Sequence, residues 1–206
     1  TLTGTRGAGT GSGSGVAING SGSTVSSLDG AILLCASVAC GAGAGGAVTQ
    51  GSNFGVIVGT GAGVSSSGAA TATLTGVGGA GAGDNYGVQV NGTVASTGTG
   101  DIAITGTGGA GSAANNHGVV IRSSGVVSST GAANITIEGT GAGAGSPSGI
   151  QVDTGSNVIG NAAMTGDITL RADSAGTDSI SLANLSITTG TGTGSLFIET
   201  VSLADS

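Results

Sequence analysis

The sequence predicts an all-β fold, a parallel β-helix (β-solenoid) of about six coils, with three short strands in each coil of about 31 residues. Three observations predict it. Short apolar phrases recur in a fixed order, each phrase alternates with the period of a strand, and glycine-rich connectors separate the phrases. One solenoid domain over residues 1–206 is expected, with repeat units beginning near residues 15, 55, 87, 118, 149 and 179.

The first strand of each unit is a glycine followed by an apolar alternation. It reads "GVAI" at Gly15, "GVIV" at Gly55, "GVQV" at Gly87, "GVVI" at Gly118, "GIQV" at Gly149 and a weaker "SISL" at Ser179. The second strand is a Val flanked by Ser or Thr, as in "STVSS" from Ser23, "GVSSS" from Gly63, "TVAST" from Thr93 and "VVSST" from Val126. The third is the strongest alternation, as in "TATLTG" from Thr71, "DIAITG" from Asp101, "NITIEG" from Asn134, "DITLRA" from Asp167 and "SLFIET" from Ser195. No single strand can bury its apolar face. Stacking each unit on its predecessor buries all of them, at about 4.8 Å per coil. Alternation sends Val88, Val90, Ile102 and Ile104 inward, and leaves small or polar residues such as Ala103 and Thr136 outward. β-branched side chains suit that packed, pleated surface. The 47 glycines fit connectors that must turn at the same height in every coil, where positive φ is needed, and they let neighbouring turns stack closely.

Composition narrows the function. Charged residues make up 6% of the chain, against about 25% in an ordinary domain. The cations are Arg6, Arg122 and Arg171, with no Lys, and the net charge is −7. Nucleic acid is therefore not an expected partner, because it needs clustered cations. There is no apolar run of about 18 residues, so no membrane-spanning helix is expected.

Several polar registers are candidate sites. Asn53, Asn85 and Asn116 precede the first strands, and Phe54, Tyr86 and His117 follow them. Stacked amides can chain between coils, and stacked rings can pack at the strand repeat. They are read as a corner-stabilising stack or, alternatively, as an outward edge for glycan contact. Asp101, Asn134 and Asp167 share a second register and suit turn capping. Asp84, Asp101 and Asp167 are weak calcium candidates. "GGAGAGD" from Gly78 approaches a calcium-binding nonapeptide but does not repeat every nine residues. No other metal or cofactor is expected. Cys35 and Cys40 in "CASVAC" are either a short-loop disulfide, which suits an oxidising compartment, or two buried small hydrophobes. No nucleophile–base pair stands out, so no enzyme activity is expected. A polysaccharide-cleaving β-helix and an ice-binding threonine array are weaker alternatives; the outward third-strand positions Thr73/Thr75, Ala103/Thr105, Thr136/Glu138 and Thr169/Arg171 do not form a regular row. "NGT" at Asn91 and "NIT" at Asn134 are glycosylation sequons.

The repeat text "NxGVxVxGxVxSTGxGxIxITGTGGAG" resembles the repeats of large bacterial surface exoproteins: haemagglutinin-like adhesins and the passenger regions of autotransporter and two-partner secretion systems. The resemblance spans nearly the whole chain at the level of repeat grammar. It implies a right-handed parallel β-helix outside the cell, acting as a stalk, adhesin or matrix fibre. The usual haemagglutinin coil is shorter than the repeat seen here.

The opening "TLTG" matches the end of a third strand, and "SLFIETVSLADS" closes the chain on another. Unpaired strand edges are expected at both ends, exposing Leu2 at one and Phe197, Ile198, Val201 and Leu203 at the other. Two expectations follow: a segment of a longer rod, or a chain whose first partial coil completes the last coil of its neighbour, a head-to-tail contact that builds filaments. The expected reading is an extracellular structural subunit or segment of a surface fibre, sheath or adhesin stalk. Its partner is a second copy of itself, with extracellular polysaccharide or a neighbouring cell surface as the further candidate.

Overall fold

The computed structural model describes residues 1–5, 11–40, 51–112, 115–174, 179–191 and 193–201. Arg6, the "GAGAG" at 41–45 and the expected end residue Leu203 lie outside the described residues.

The repeating phrases are strands. A short β1 (Leu2–Thr3) precedes the first coil, which holds β2 (Gly13–Ile18), β3 (Thr24–Ser27) and β4 (Ile32–Ala36). The second coil holds β5 (Asn53–Val58), β6 (Gly63–Ser66) and β7 (Ala72–Val77). The third holds β8 (Val88–Val90), β9 (Thr93–Ser96) and β10 (Ile102–Thr107). In the fourth are β11 (Val119–Ile121), β12 (Val126–Ser129) and β13 (Ile135–Gly141). In the fifth are β14 (Ile150–Val152), β15 (Asn157–Gly160) and β16 (Ile168–Ser174). The sixth ends with β17 (Ile180–Leu182), β18 (Leu185–Thr188) and β19 (Leu196–Thr200).

Every strand pairs in parallel with its copy one coil away, giving three sheets. The first strands form a six-stranded sheet, the second strands another, and the third strands with β1 a seven-stranded one. Their inward rows meet in one core. Val56, Val88, Val119 and Ile150 share a register in the first sheet, and Leu74, Ile104, Ile137 and Leu170 share one in the third; all are fully buried. Each such side chain contributes about 1.5–3 kcal/mol on burial. Opposite the core, Thr169 and Phe197 share the outward register of the third sheet, and Phe197 is exposed as expected.

Each coil has its three strands as expected, although two second strands depart from their motif. Coils five and six have second strands, "NVIG" in β15 and "LSIT" in β18, which lack the Ser/Thr-flanked Val and escape the motif. The sixth coil therefore holds all three strands. Both roles expected of glycine are present, at different places. Gly55, Gly87, Gly118 and Gly149 face the ladder of Gly76, Gly106 and Gly139, and neither row has positive φ. A Cβ on Gly106 would overlap the Gly118 carbonyl, and one on Gly87 the backbone around Thr107. Here glycine supplies room where the third strand of one coil passes the start of the next coil's first strand. Positive φ belongs to tight turns such as those at Gly20, Gly61 and Gly155.

The second corner is held by serine. Ser66 and Ser96 end their strands in the same register, and each hydroxyl donates to a carbonyl four residues on, at 2.7 Å to Ala70 and to Gly100. This buried ladder explains the Ser that recurs in the second phrase.

Candidate functional site

The connectors between the third and first strands build the polar interior of one corner. Asn53, Asn85 and Asn116 are fully buried there. Asn53 Nδ2 donates to Asn85 Oδ1 at 3.2 Å, and Asn85 Nδ2 to Asn116 Oδ1 at 2.8 Å. The same Asn85 amide donates to the carbonyls of Gly81 and Gly83 at 2.9 and 2.7 Å, and its oxygen accepts the Gly81 N–H at 3.1 Å. Asn116 donates to the Gly111 carbonyl at 3.0 Å. Each Asn thus clamps its own glycine-rich connector and links it to the next coil. The ladder begins at Asn53, because the register position before it is Gly13; the Asn53 Oδ1 has no partner among the described residues.

The rings stack in chain order. Phe54 and Tyr86 have centroids 5.3 Å apart at 29°, and Tyr86 and His117 5.5 Å apart at 37°. Phe54 is half-buried and lines an apolar groove of about 400 Å³ with Val38, Val77, Ala80, Ala110 and Ala142. Tyr86 and His117 are only 3% and 4% exposed. The expected outward edge is therefore mostly covered. Its rings occupy one another's faces, because the connectors fold over them, so the edge offers a glycan no open Tyr86 or His117 face.

Charge gathers beside this stack in a way the sequence motifs do not announce. Burial, with the negative charge of nearby Asp84, pushes the Tyr86 phenol well above its usual range. Asn115 Nδ2 holds Asp84 Oδ1 at 3.0 Å. His117 Nδ1 accepts the Ser148 N–H at 2.8 Å, which makes Nε2 the protonated nitrogen of the neutral ring. Burial pushes the His117 pKa below its usual value, although the charges of Asp84 and Asp153 oppose the shift. Arg122 and Asp153 follow β11 and β14 and lie 3.6 Å apart. Between these groups, the outward register of the first sheet carries Gln89, Val120 and Gln151 on adjacent strands. Gln89 and Val120 are buried despite facing away from the core. The signal that could have found this site is the shared register of Gln89 with Gln151, one coil apart on either side of Val120.

The calcium candidates do not converge. Asp101 Oδ1 accepts the Asn134 N–H at 2.8 Å, Asn134 Oδ1 the Asp167 N–H at 2.9 Å, and Asp167 Oδ1 the Ser195 N–H at 2.7 Å. That ladder caps the third-strand turns, while Asp84 sits at the other end of the connectors with Tyr86. Among the described residues no three His, Cys, Asp or Glu side chains gather as a metal site.

Of the two cysteine readings, the structure shows the disulfide: Cys35 and Cys40 are bonded across the short 3₁₀ turn Val38–Cys40, with Cα atoms 6.3 Å apart. The irregular threonine row is explained by charge. Arg171 lies 3.7 Å from both Glu138 and Glu199, its register neighbours on the exposed face.

At the ends, Leu2 is 47% exposed, and Leu196, Phe197 and Ile198 are 41%, 46% and 52% exposed. Val201 is half-buried, its N–H donating to the Ala172 carbonyl at 2.9 Å. No helix among the described residues is long and apolar enough to cross a membrane. No protein-family model, curated protein or solved structure matches the chain.

Proposed function

We propose that the chain is a structural rod element, a subunit or segment of an extracellular surface fibre, sheath or adhesin stalk, extended by stacking along the solenoid axis. The observation that carries this reading is the sixth coil. It keeps the inward grammar of the others, yet Leu182, Leu196 and Ile198 are exposed and Ile180, Leu185 and Ile187 are only half-buried. Among the described residues no strand pairs with its three strand edges on that side. Leu2 continues the register of Leu34, Leu74, Ile104, Ile137, Leu170 and Ile198 at the far end. Exposed apolar ladders of this register favour one partner, another coil of the same kind. The repeat resemblance to secreted bacterial surface proteins and the disulfide support an extracellular setting. The reading is non-enzymatic and uses no cofactor.

A second copy would lay β2, β3 and β4 on β17, β18 and β19, displacing the two-residue β1, because the third sheet has one strand more than the others. Electron microscopy of the 206-residue chain at rising concentration tests this. Unbranched filaments with a layer line near 4.8 Å and a subunit repeat of about 30 Å are expected. A chain that stays monomeric at every concentration refutes end-to-end assembly.

A further inference from the structure

We propose that the outer face of the third sheet carries a clasp for a second copy of this chain: Phe197 in β19 packs on Leu33 in β4 of the neighbouring copy and sets the register of the joint. This inference rests on the end-to-end reading above and adds the contact that fixes how two copies meet.

The outward register of the third sheet runs Leu33, Thr73, Ala103, Thr136, Thr169, Phe197. The four coils in between hold Thr or Ala there, small side chains that suit a solvated face. The first and sixth coils hold large apolar side chains instead. Phe197 is 46% exposed and Leu33 is half-buried. Both point away from the core, so neither fills the interior of its own coil. The rest of the surface follows the same division. Among the described residues, exposed large apolar side chains lie in β1 and in coils one, two and six, and coils three to five have none. Leu28 and Val38, which precede and follow β4 in the chain, are the most exposed of them, at 67% and 65%. Apolar surface graded in this way along a rod marks where the rod meets a partner.

Continuing the observed registers by one coil defines what a second copy brings. Ile180 and Leu182 fall on Val16 and Ile18. Ile187 falls on Val25. Leu196 and Ile198 fall on Ile32 and Leu34. The third-sheet strands match end to end, because β19 and β4 are both five residues long. In that register Phe197 lies beside Leu33, where an aromatic and an aliphatic neighbour about 4.8 Å apart cover each other. Glu199 lies beside Cys35, so no carboxylate meets another along this row of a chain of net charge −7. A one-residue slip would turn Phe197 onto the core row and Ile198 outward, which the alternation disfavours. Phe197 and Leu33 thus act on the register of the joint as well as on its strength.

The critical concentration for filament formation, read by sedimentation and electron microscopy, tests the clasp. Phe197→Thr and Leu33→Thr each install the residue that the adjacent coil holds in this register, Thr169 or Thr73, so both variants keep the coil. Unfolding midpoints measured below the critical concentration check that. Each variant is expected to raise the critical concentration about tenfold or more. The double variant is expected to match the worse single variant, since either change already removes the contact. Wild-type chain that stays monomeric at every concentration overturns the rod reading and the clasp with it. Wild-type filaments with an unchanged critical concentration in either folded variant, or a double variant in which the two losses multiply, overturn the clasp and leave the rod reading standing.

Discussion

Two polar ladders climb this solenoid, and they differ in what surrounds them. Asn53, Asn85 and Asn116 bond side chain to side chain in a corner that water does not reach. Asp101, Asn134 and Asp167 also link coil to coil, through side-chain oxygens that accept the next coil's amides, but on a wetted edge. The sequence treats them alike: both are Asn/Asp positions spaced by one repeat. The difference teaches that a ladder's worth lies in the absence of a substitute. On the edge, water can replace a lost acceptor. In the corner, a lost amide strands several backbone groups at once.

The largest expected effect is therefore at Asn85. Asn85→Ala leaves the Gly81 N–H and the Gly81 and Gly83 carbonyls without their partner. A loss of roughly 3–5 kcal/mol is expected in denaturant unfolding, from about 1–3 kcal/mol for each buried group left unpaired. A loss under about 1 kcal/mol would erase the contrast between the ladders. Asn134→Ala should cost only about 0.5–1 kcal/mol by the same measurement. If the two variants lose equal stability, exposure is not what separates the ladders.

The buried corner should also respond to pH. Burial lowers the His117 pKa in the folded chain, so the unfolded chain takes up the proton first. Stability should then fall as pH drops below about 6.5 and continue falling until the folded ring's own pKa is passed. The titratable groups facing the ring are Asp84, Tyr86, Arg122 and Asp153. His117→Gln should flatten that slope; an unchanged slope in the variant assigns the effect elsewhere. The smallest effect is at the exposed Glu138–Arg171–Glu199 row. Arg171→Gln should change stability by less than about 0.5 kcal/mol and lose even that in high salt.

Much of the fold was legible because it is local and repeated. Val88 and Val90, or Ile102 and Ile104, announce a strand by alternation, and the copy about 31 residues on supplies the partner. The candidate site was only half legible. The shared registers of the Asn and aromatic positions could be read from spacing, but their burial could not. What covers Tyr86 depends on the path of the connectors, and glycine-rich text does not encode a path. The strands "NVIG" and "LSIT" escaped because their side chains depart from the motif while their backbones keep the coil. Gln89 and Gln151 escaped because a Gln at an outward position ordinarily meets solvent.

The sequence by itself determined the coil, the three strands, their register and the inward ladders, because period-2 alternation and a near-constant repeat leave one way to bury those side chains. Only the tertiary structure decided which polar groups are wet and which are dry. Burial is set by neighbours from other coils and by folded-back connectors, and no local pattern carries that information. The clamp at Asn85, the covered rings of Tyr86 and His117, and the unpaired oxygens of Gln89 and Gln151 all belong to that second kind.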